Sequence, residues 1–212
     1  RRAVKDYVAG GDRKKRIVEK YGEISNWDVS KVTDMGRMFR NATAFNQPLN
    51  DWNVSNVTDM SDMFEEASSF NQPLNKWNVS KVRKMSRMFY NAESFNQPLN
   101  TSGNKWNVSK VRNMYAMFWG ATSFNQPLND WNVSNVTNMY RMFQDATSFN
   151  QPLNSWNVSN VKVMACMFCD ATSFNQPLND WDVSNDVTDM YGMFDDATSF
   201  NQPPHAPWYH EE

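Results

Sequence analysis

A tryptophan returns at a fixed interval along almost the whole chain. Trp27, Trp52, Trp77, Trp106, Trp131, Trp156 and Trp181 are 25 residues apart at every step except Trp77 to Trp106, where the step is 29. All fourteen methionines fall in seven Met-x-x-Met-Phe boxes, from Met35-Gly36-Arg37-Met38-Phe39 to Met190-Tyr191-Gly192-Met193-Phe194. All fourteen phenylalanines either end such a box or open a Phe-Asn-Gln-Pro box. A fixed period in the twenties confines the chain to a stack in which each unit touches only its neighbours. The 212 residues therefore read as one elongated body.

Each unit has two halves. In Leu49-x-x-Trp52-x-Val54 the alternation places Trp52 and Val54 on one side and Asn53 and Ser55 on the other, which predicts a short strand entered after Pro48. Val57, Met60, Met63, Phe64 and Ala67 then fall within one arc at helical spacing, which predicts a short helix with Thr58 as N-cap and Asp59 in its first turn. The Ser68-Ser69-Phe70-Asn71-Gln72-Pro73 segment reads as a turn anchored by Phe70. The apolar side chains of a lone repeat do not repay the ordering of its backbone, so the stack folds and the single unit does not.

Residues 1–23 lie outside the repeat and read as a helical N-terminal cap. Ala3, Val4, Tyr7 and Val8 form one stripe, and Asp12 caps a second helix with Ile17, Val18 and Tyr21 on its face and Gly22 at its end. Residues 24–203 hold the seven repeats, and 204–212 form a tail that folds Trp208 over the last unit. The register is broken by insertions at Thr101-Ser102-Gly103-Asn104 and at Asp186, both read as tolerated loops. The chain opens on Arg1, which reads as part of something longer.

The pattern Trp-[Asp/Asn]-Val-Ser-x-Val-Thr-x-Met-x-x-Met-Phe, followed by Ala-x-x-Phe-Asn-Gln-Pro-Leu, resembles the repeat of BspA-like leucine-rich-repeat surface proteins. That family includes bacterial surface lipoproteins and many algal and large-virus proteins. The resemblance covers 24–203. It implies a leucine-rich-repeat-like solenoid, often at a cell or particle surface and linked to adhesion and protein binding, with no catalytic residue to carry over. With the spacing argument, the expectation is an α/β repeat solenoid of seven coils, each with one short parallel strand and one short helix.

Net charge is −2, so no global pull toward nucleic acid or anionic membrane is expected. Positive charge is local. Residues 1–24 carry eight Lys/Arg, and 76–112 carry eight against the single Glu93. The run Lys76, Lys81, Arg83, Lys84, Arg87, Lys105, Lys110 and Arg112 reads as a solvated face, or as a dock for acidic units. No run of eighteen apolar residues suggests a membrane span. Two cysteines make no disulfide framework. Cys166 and Cys169 read as ordinary occupants of variable slots, a local redox pair being the alternative. The repeats hold no histidine and no phosphate-cradling glycine loop, so neither an enzyme nor a cofactor or metal site is expected.

Function is sought where the repeats differ. The slots of Ser61, Asp62 and Glu65 lie outside the buried arc and change occupant along the chain. They bring together Tyr90, Tyr115, Trp119 and Tyr140, flanked by Arg87, Arg112 and Arg141, in an expected exposed patch. Tyr, Trp and Arg dominate interface hot spots, which points to a protein partner or neighbouring subunits. The second candidate is the column Asn53, Asn78, Asn107, Asn132 and Asn157, with Ser30 to Ser184 two residues on. It reads as a hydrogen-bonded ladder between coils, or as a glycan-binding array of an adhesin. The repeat also spells N-glycosylation sequons at Asn53, Asn56, Asn78, Asn107, Asn132, Asn135 and Asn157. A non-enzymatic scaffold for protein–protein interaction is the leading expectation.

Overall fold

In a computed structural model the protein is a stack of layers built from turns. The structure describes residues 1–101, 103–183, 187–201 and 204–210, without the side chains of Thr101, Asn104 and Lys105. The Asp186 insertion and Ser184 lie outside the described residues.

The expected α/β solenoid, with a strand and a helix in every coil, is not what forms. Among the described residues helix is confined to α1 (Arg2–Val8), α2 (Gly11–Tyr21) and a 3-10 turn at Ile24–Asn26. Among the described residues the only paired strands are β1 (Asn100–Thr101) and β2 (Asn104–Lys105), an antiparallel hairpin made by the four-residue insertion. The layers are joined instead by single parallel bridges that run Asp34, Asp59, Lys84, Asn113, Asn138, Val163 and Asp189. These fall after the Trp-x-Val segment, not on it.

The Met-x-x-Met-Phe box explains why no helix forms. The Met38 N–H bonds the Met35 carbonyl at 3.2 Å and the Ala42 N–H bonds the Phe39 carbonyl at 3.1 Å, so each closes a turn. The third residues of those turns, Arg37 (φ 60°) and Asn41 (φ 59°), take the positive φ of a type II turn. That flip sends the intervening N–H groups along the stack. Met35, Arg37, Phe39 and Asn41 donate to the carbonyls of Asp59, Ser61, Met63 and Glu65 in the next layer, at 2.7–2.9 Å. A positive φ costs an ordinary side chain roughly 1–2 kcal/mol. It is offset because each layer hands its donors to the next, and each bond contributes about 1 kcal/mol net.

Turns linked at i and i+3 bury nearly the same positions as a helix. Val57, Met60, Met63, Phe64 and Ala67 are all fully buried. Thr58 is therefore no N-cap: its N–H bonds the Thr33 carbonyl of the previous layer at 2.8 Å. Asp59 closes a local turn by accepting the Ser61 N–H at 2.9 Å. The Trp-x-Val alternation holds, with Trp52 and Val54 buried and Asn53 exposed, but without a strand.

Aromatic columns run through the core. Phe39, Phe64 and Phe89 stack face to face at 5.4 and 5.7 Å, beside Phe45, Phe70 and Phe95 at 6.0 Å. Parallel rings offset at these distances are mutually attractive. Each indole is anchored as well: the Trp52 and Trp77 Nε1–H groups donate to the carbonyls of Ile24 and Leu49 one layer back, at 2.8 and 2.9 Å. The Phe-Asn-Gln-Pro box is more than a turn. Asn46 Oδ1 accepts both the Asn71 N–H and the Gln72 side-chain amide of the next layer at 3.0 Å, and Asn71 does the same for Asn96 and Gln97.

At the N-terminal end Val4 and Tyr7 of α1 are buried against the core, while α2 contributes no buried residue. Tyr7 donates to Glu23 Oε2 at 2.6 Å, and burial together with that carboxylate pushes the phenol up to about 12. Asp12 lies in the first turn of α2, whose N-cap is Gly10; Gly22 ends the helix at φ 74°. At the other end Trp208 stacks on Trp181 at 5.8 Å and donates to the Leu178 carbonyl at 2.9 Å, which continues the indole column.

Candidate interaction surface

The variable slots follow the first methionine and the phenylalanine of each box, at the corners of the turns. They were expected to be exposed. Two of them are not: Glu65 is 1% exposed and Asp62 is 9% exposed. Arg40 Nε lies 3.0 Å from Glu65 Oε2, Arg87 Nη2 pairs with Glu65 Oε1, and Arg37 Nε reaches Asp62 at 3.1 Å. Burial pushes the Glu65 carboxyl above the ordinary carboxylate range, against the pull of Arg87 and Arg40. The first three layers are thus tied by a charge network across the slots. The signal was present in the sequence as opposite charges 25 residues apart, Arg37 with Asp62 and Arg40 with Glu65.

From the third layer to the fifth, rings take these slots. Tyr90 meets Trp119 edge to face at 5.0 Å, and Tyr115 stacks on Tyr140 at 5.7 Å. The Arg87 guanidinium covers Tyr90 at 4.5 Å. Arg141 is held between two rings, 4.7 Å from Trp119 and 4.8 Å from Tyr140. Trp119 Nε1–H donates to Asp145 Oδ2 at 2.9 Å. All four aromatics are half-buried, not fully exposed, because each leans on the ring or guanidinium of a neighbouring layer. Arg112 is exposed and is not part of these ring contacts; its backbone, bonded to Arg83 and Thr137, serves the stack.

The asparagine column is exposed at Asn53, Asn78, Asn107, Asn132 and Asn157, but it is not a ladder between layers. Each Oδ1 accepts the N–H of the serine two residues on, at 3.1–3.2 Å, so the column is a set of separate Asx turns. The amide ladder lies elsewhere, in the Asn-Gln pairs described above. Nor is the basic run simply solvated: Lys76 pairs with Asp51 at 2.8 Å and Lys84 with Asp59 at 3.2 Å. Lys105, whose side chain is not described, stays outside this comparison.

Cys166 and Cys169 are free. Burial, with the Asp170 carboxylate accepting from the thiol at 3.3 Å, pushes Cys169 up to about 12, which opposes a reactive thiolate. Among the described residues no group of His, Cys, Asp and Glu is arranged to hold a metal. Among the described residues no helix is long and apolar enough to cross a membrane.

One family's sequence profile matches this chain twice, over residues 13–104 and 99–208. No curated protein and no solved structure matches it. The two matches span the repeats and part of the N-terminal segment, and the chain belongs to the repeat family described as Mycoplasma protein of unknown function, DUF285.

Proposed function

We propose that the chain is a non-enzymatic scaffold that offers the face around Tyr90, Trp119, Tyr115, Tyr140 and Arg141 to a protein partner or neighbouring subunit. The supporting observation is the bracing of Arg141 between Trp119 and Tyr140. A guanidinium held by two rings loses little freedom on binding, and half-buried aromatics keep enough surface to be covered. The repeat's resemblance to BspA-like surface proteins fits this use, as a surface or structural component of a larger assembly. The adhesin alternative has less support, because the asparagine Oδ1 atoms a glycan hydroxyl would seek already accept backbone N–H groups.

Capture of the partner from the source cells by the wild-type chain, compared with a Trp119→Ala/Tyr115→Ala variant, tests the reading. The double variant is expected to weaken capture by about thirtyfold or more, the effect of a hot spot of roughly 2 kcal/mol. Unchanged capture by a folded variant would overturn it.

A further inference from the structure

Every layer but the last passes four backbone N–H groups of its Met box to the layer that follows. In the sixth, Met164, Cys166, Phe168 and Asp170 donate to the carbonyls of Asp189, Tyr191, Met193 and Asp195 at 2.8–2.9 Å. The equivalent donors of the seventh are Met190, Gly192, Phe194 and Asp196. Among the described residues none of these four has an acceptor in the protein. The apolar column ends in the same place: Val187, Met190 and Phe194 are only partly buried, where Val161, Met164 and Phe168 are sealed.

The tail closes this side only in part: Tyr209 is buried with its ring edge-on to Phe194 at 5.1 Å, yet no described tail group accepts from the four N–H groups. Leu178 N–H bonds the His205 carbonyl at 2.7 Å, and the Asn179 side-chain amide reaches the Pro204 carbonyl at 2.6 Å. Those bonds extend the stack along its leucine–tryptophan side. Along the Met box a cleft of about 400 Å³ remains between the edge from Val187 to Gly192, Asp195, and the side chains of Tyr209 and His210.

Charge says what would fill it. Asp189 and Asp195 are exposed, and among the described residues no Lys or Arg nitrogen lies within 4 Å of either. Their counterparts in the second layer are Asp59 and Glu65. The third layer satisfies both, with Lys84 Nζ 3.2 Å from Asp59 and Arg87 paired to Glu65. A segment with the third layer's pattern, laid on the seventh, would place a lysine on Asp189 and an arginine on Asp195 in the pairing the chain already uses. Its carbonyls would meet the four open N–H groups.

We propose that the open edge at Met190–Asp196 docks a repeat-like segment of a partner chain. That segment has Met-x-x-Met-Phe spacing and basic residues at the positions of Lys84 and Arg87, and it adds one further layer to the stack. An unpaired backbone edge is a ready template for added chain, and the charged slots set register and partner. The site is separate from the aromatic face and stands without it.

The probe is a synthetic peptide with the sequence of residues 82–92, VRKMSRMFYNA, added to the full chain while amide exchange is followed by NMR. In the free protein Met190, Gly192, Phe194 and Asp196 should exchange faster than Met164, Cys166, Phe168 and Asp170. Peptide at ten times its dissociation constant should slow the first set by about tenfold. A peptide with Lys84→Glu and Arg87→Glu should not, and an Asp189→Lys/Asp195→Lys protein should exchange these preferences. No slowing at saturating peptide, equal slowing by the charge-reversed peptide, or protection at Tyr115–Trp119 in place of the edge would each overturn the proposal.

Discussion

The second and third layers and the fourth and fifth present the same backbone and fill it with opposite chemistry. Around Glu65 the corner slots hold a carboxylate sealed under Arg40 and Arg87. Around Trp119 they hold rings that share Arg141 and remain half-exposed. In the first region the arginines are spent on acids of their own chain. In the second, Arg141 has no carboxylate within 4 Å among the described residues, only ring faces. One framework therefore supports a region whose charges tie layers together and a region whose rings stay partly open to solvent.

The largest effect expected is on Glu65. Glu65→Ala leaves two arginines facing a buried gap and should cost roughly 2–3 kcal/mol, allowing for the solvent that still reaches them. Urea unfolding followed by tryptophan fluorescence measures it. A loss no greater than that of Trp119→Ala would break the division between the two regions. Gly120 comes next, between them. It sits at φ 69°, and a Cβ there would collide with the Asn91 side chain of the previous layer. Gly120→Ala should cost about 1–2 kcal/mol, read by the same unfolding curve.

Arg141→Ala should cost less, about 0.5–1 kcal/mol for its two ring contacts, while weakening partner capture far more than Arg40→Ala does. Comparable losses of stability and capture would place Arg141 with the structural charges. The smallest effect is a pH dependence. Because the folded Glu65 value lies above the ordinary 4.5, the folded state holds this proton longer than the unfolded one. This group's contribution to stability is thus greatest below 4.5 and falls as pH rises through the window up to the raised value. Thermal melts of the wild type and Glu65→Gln should diverge in that window, the variant lacking the fall.

Much of the core was legible in the sequence, for a geometric reason that also misled. Val57, Met60, Met63, Phe64 and Ala67 are buried as their spacing predicts, yet a chain of i to i+3 turns shares that spacing with a helix. The overlooked sign was the second turn corner, occupied by Asn41, Glu66, Asn91, Gly120, Asp145, Asp170 and Asp196. Asn, Asp and Gly tolerate the left-handed region and weaken helix interiors. The candidate face was legible only in part. Tyr90, Trp119, Tyr115, Tyr140 and Arg141 do meet, while Arg112 is exposed outside these ring contacts and Glu65 is buried.

By itself the sequence determined that 25-residue units stack and that Trp, Met and Phe form a shared core, because identical apolar side chains at a fixed period have no partners but their own copies. Only the tertiary structure decided that the backbone joins those units through turns rather than helices, because the N–H groups of one layer find acceptors only when the next is in place. The same dependence leaves the last layer's donors at Met190, Gly192, Phe194 and Asp196 without an acceptor among the described residues, a feature no residue type announces.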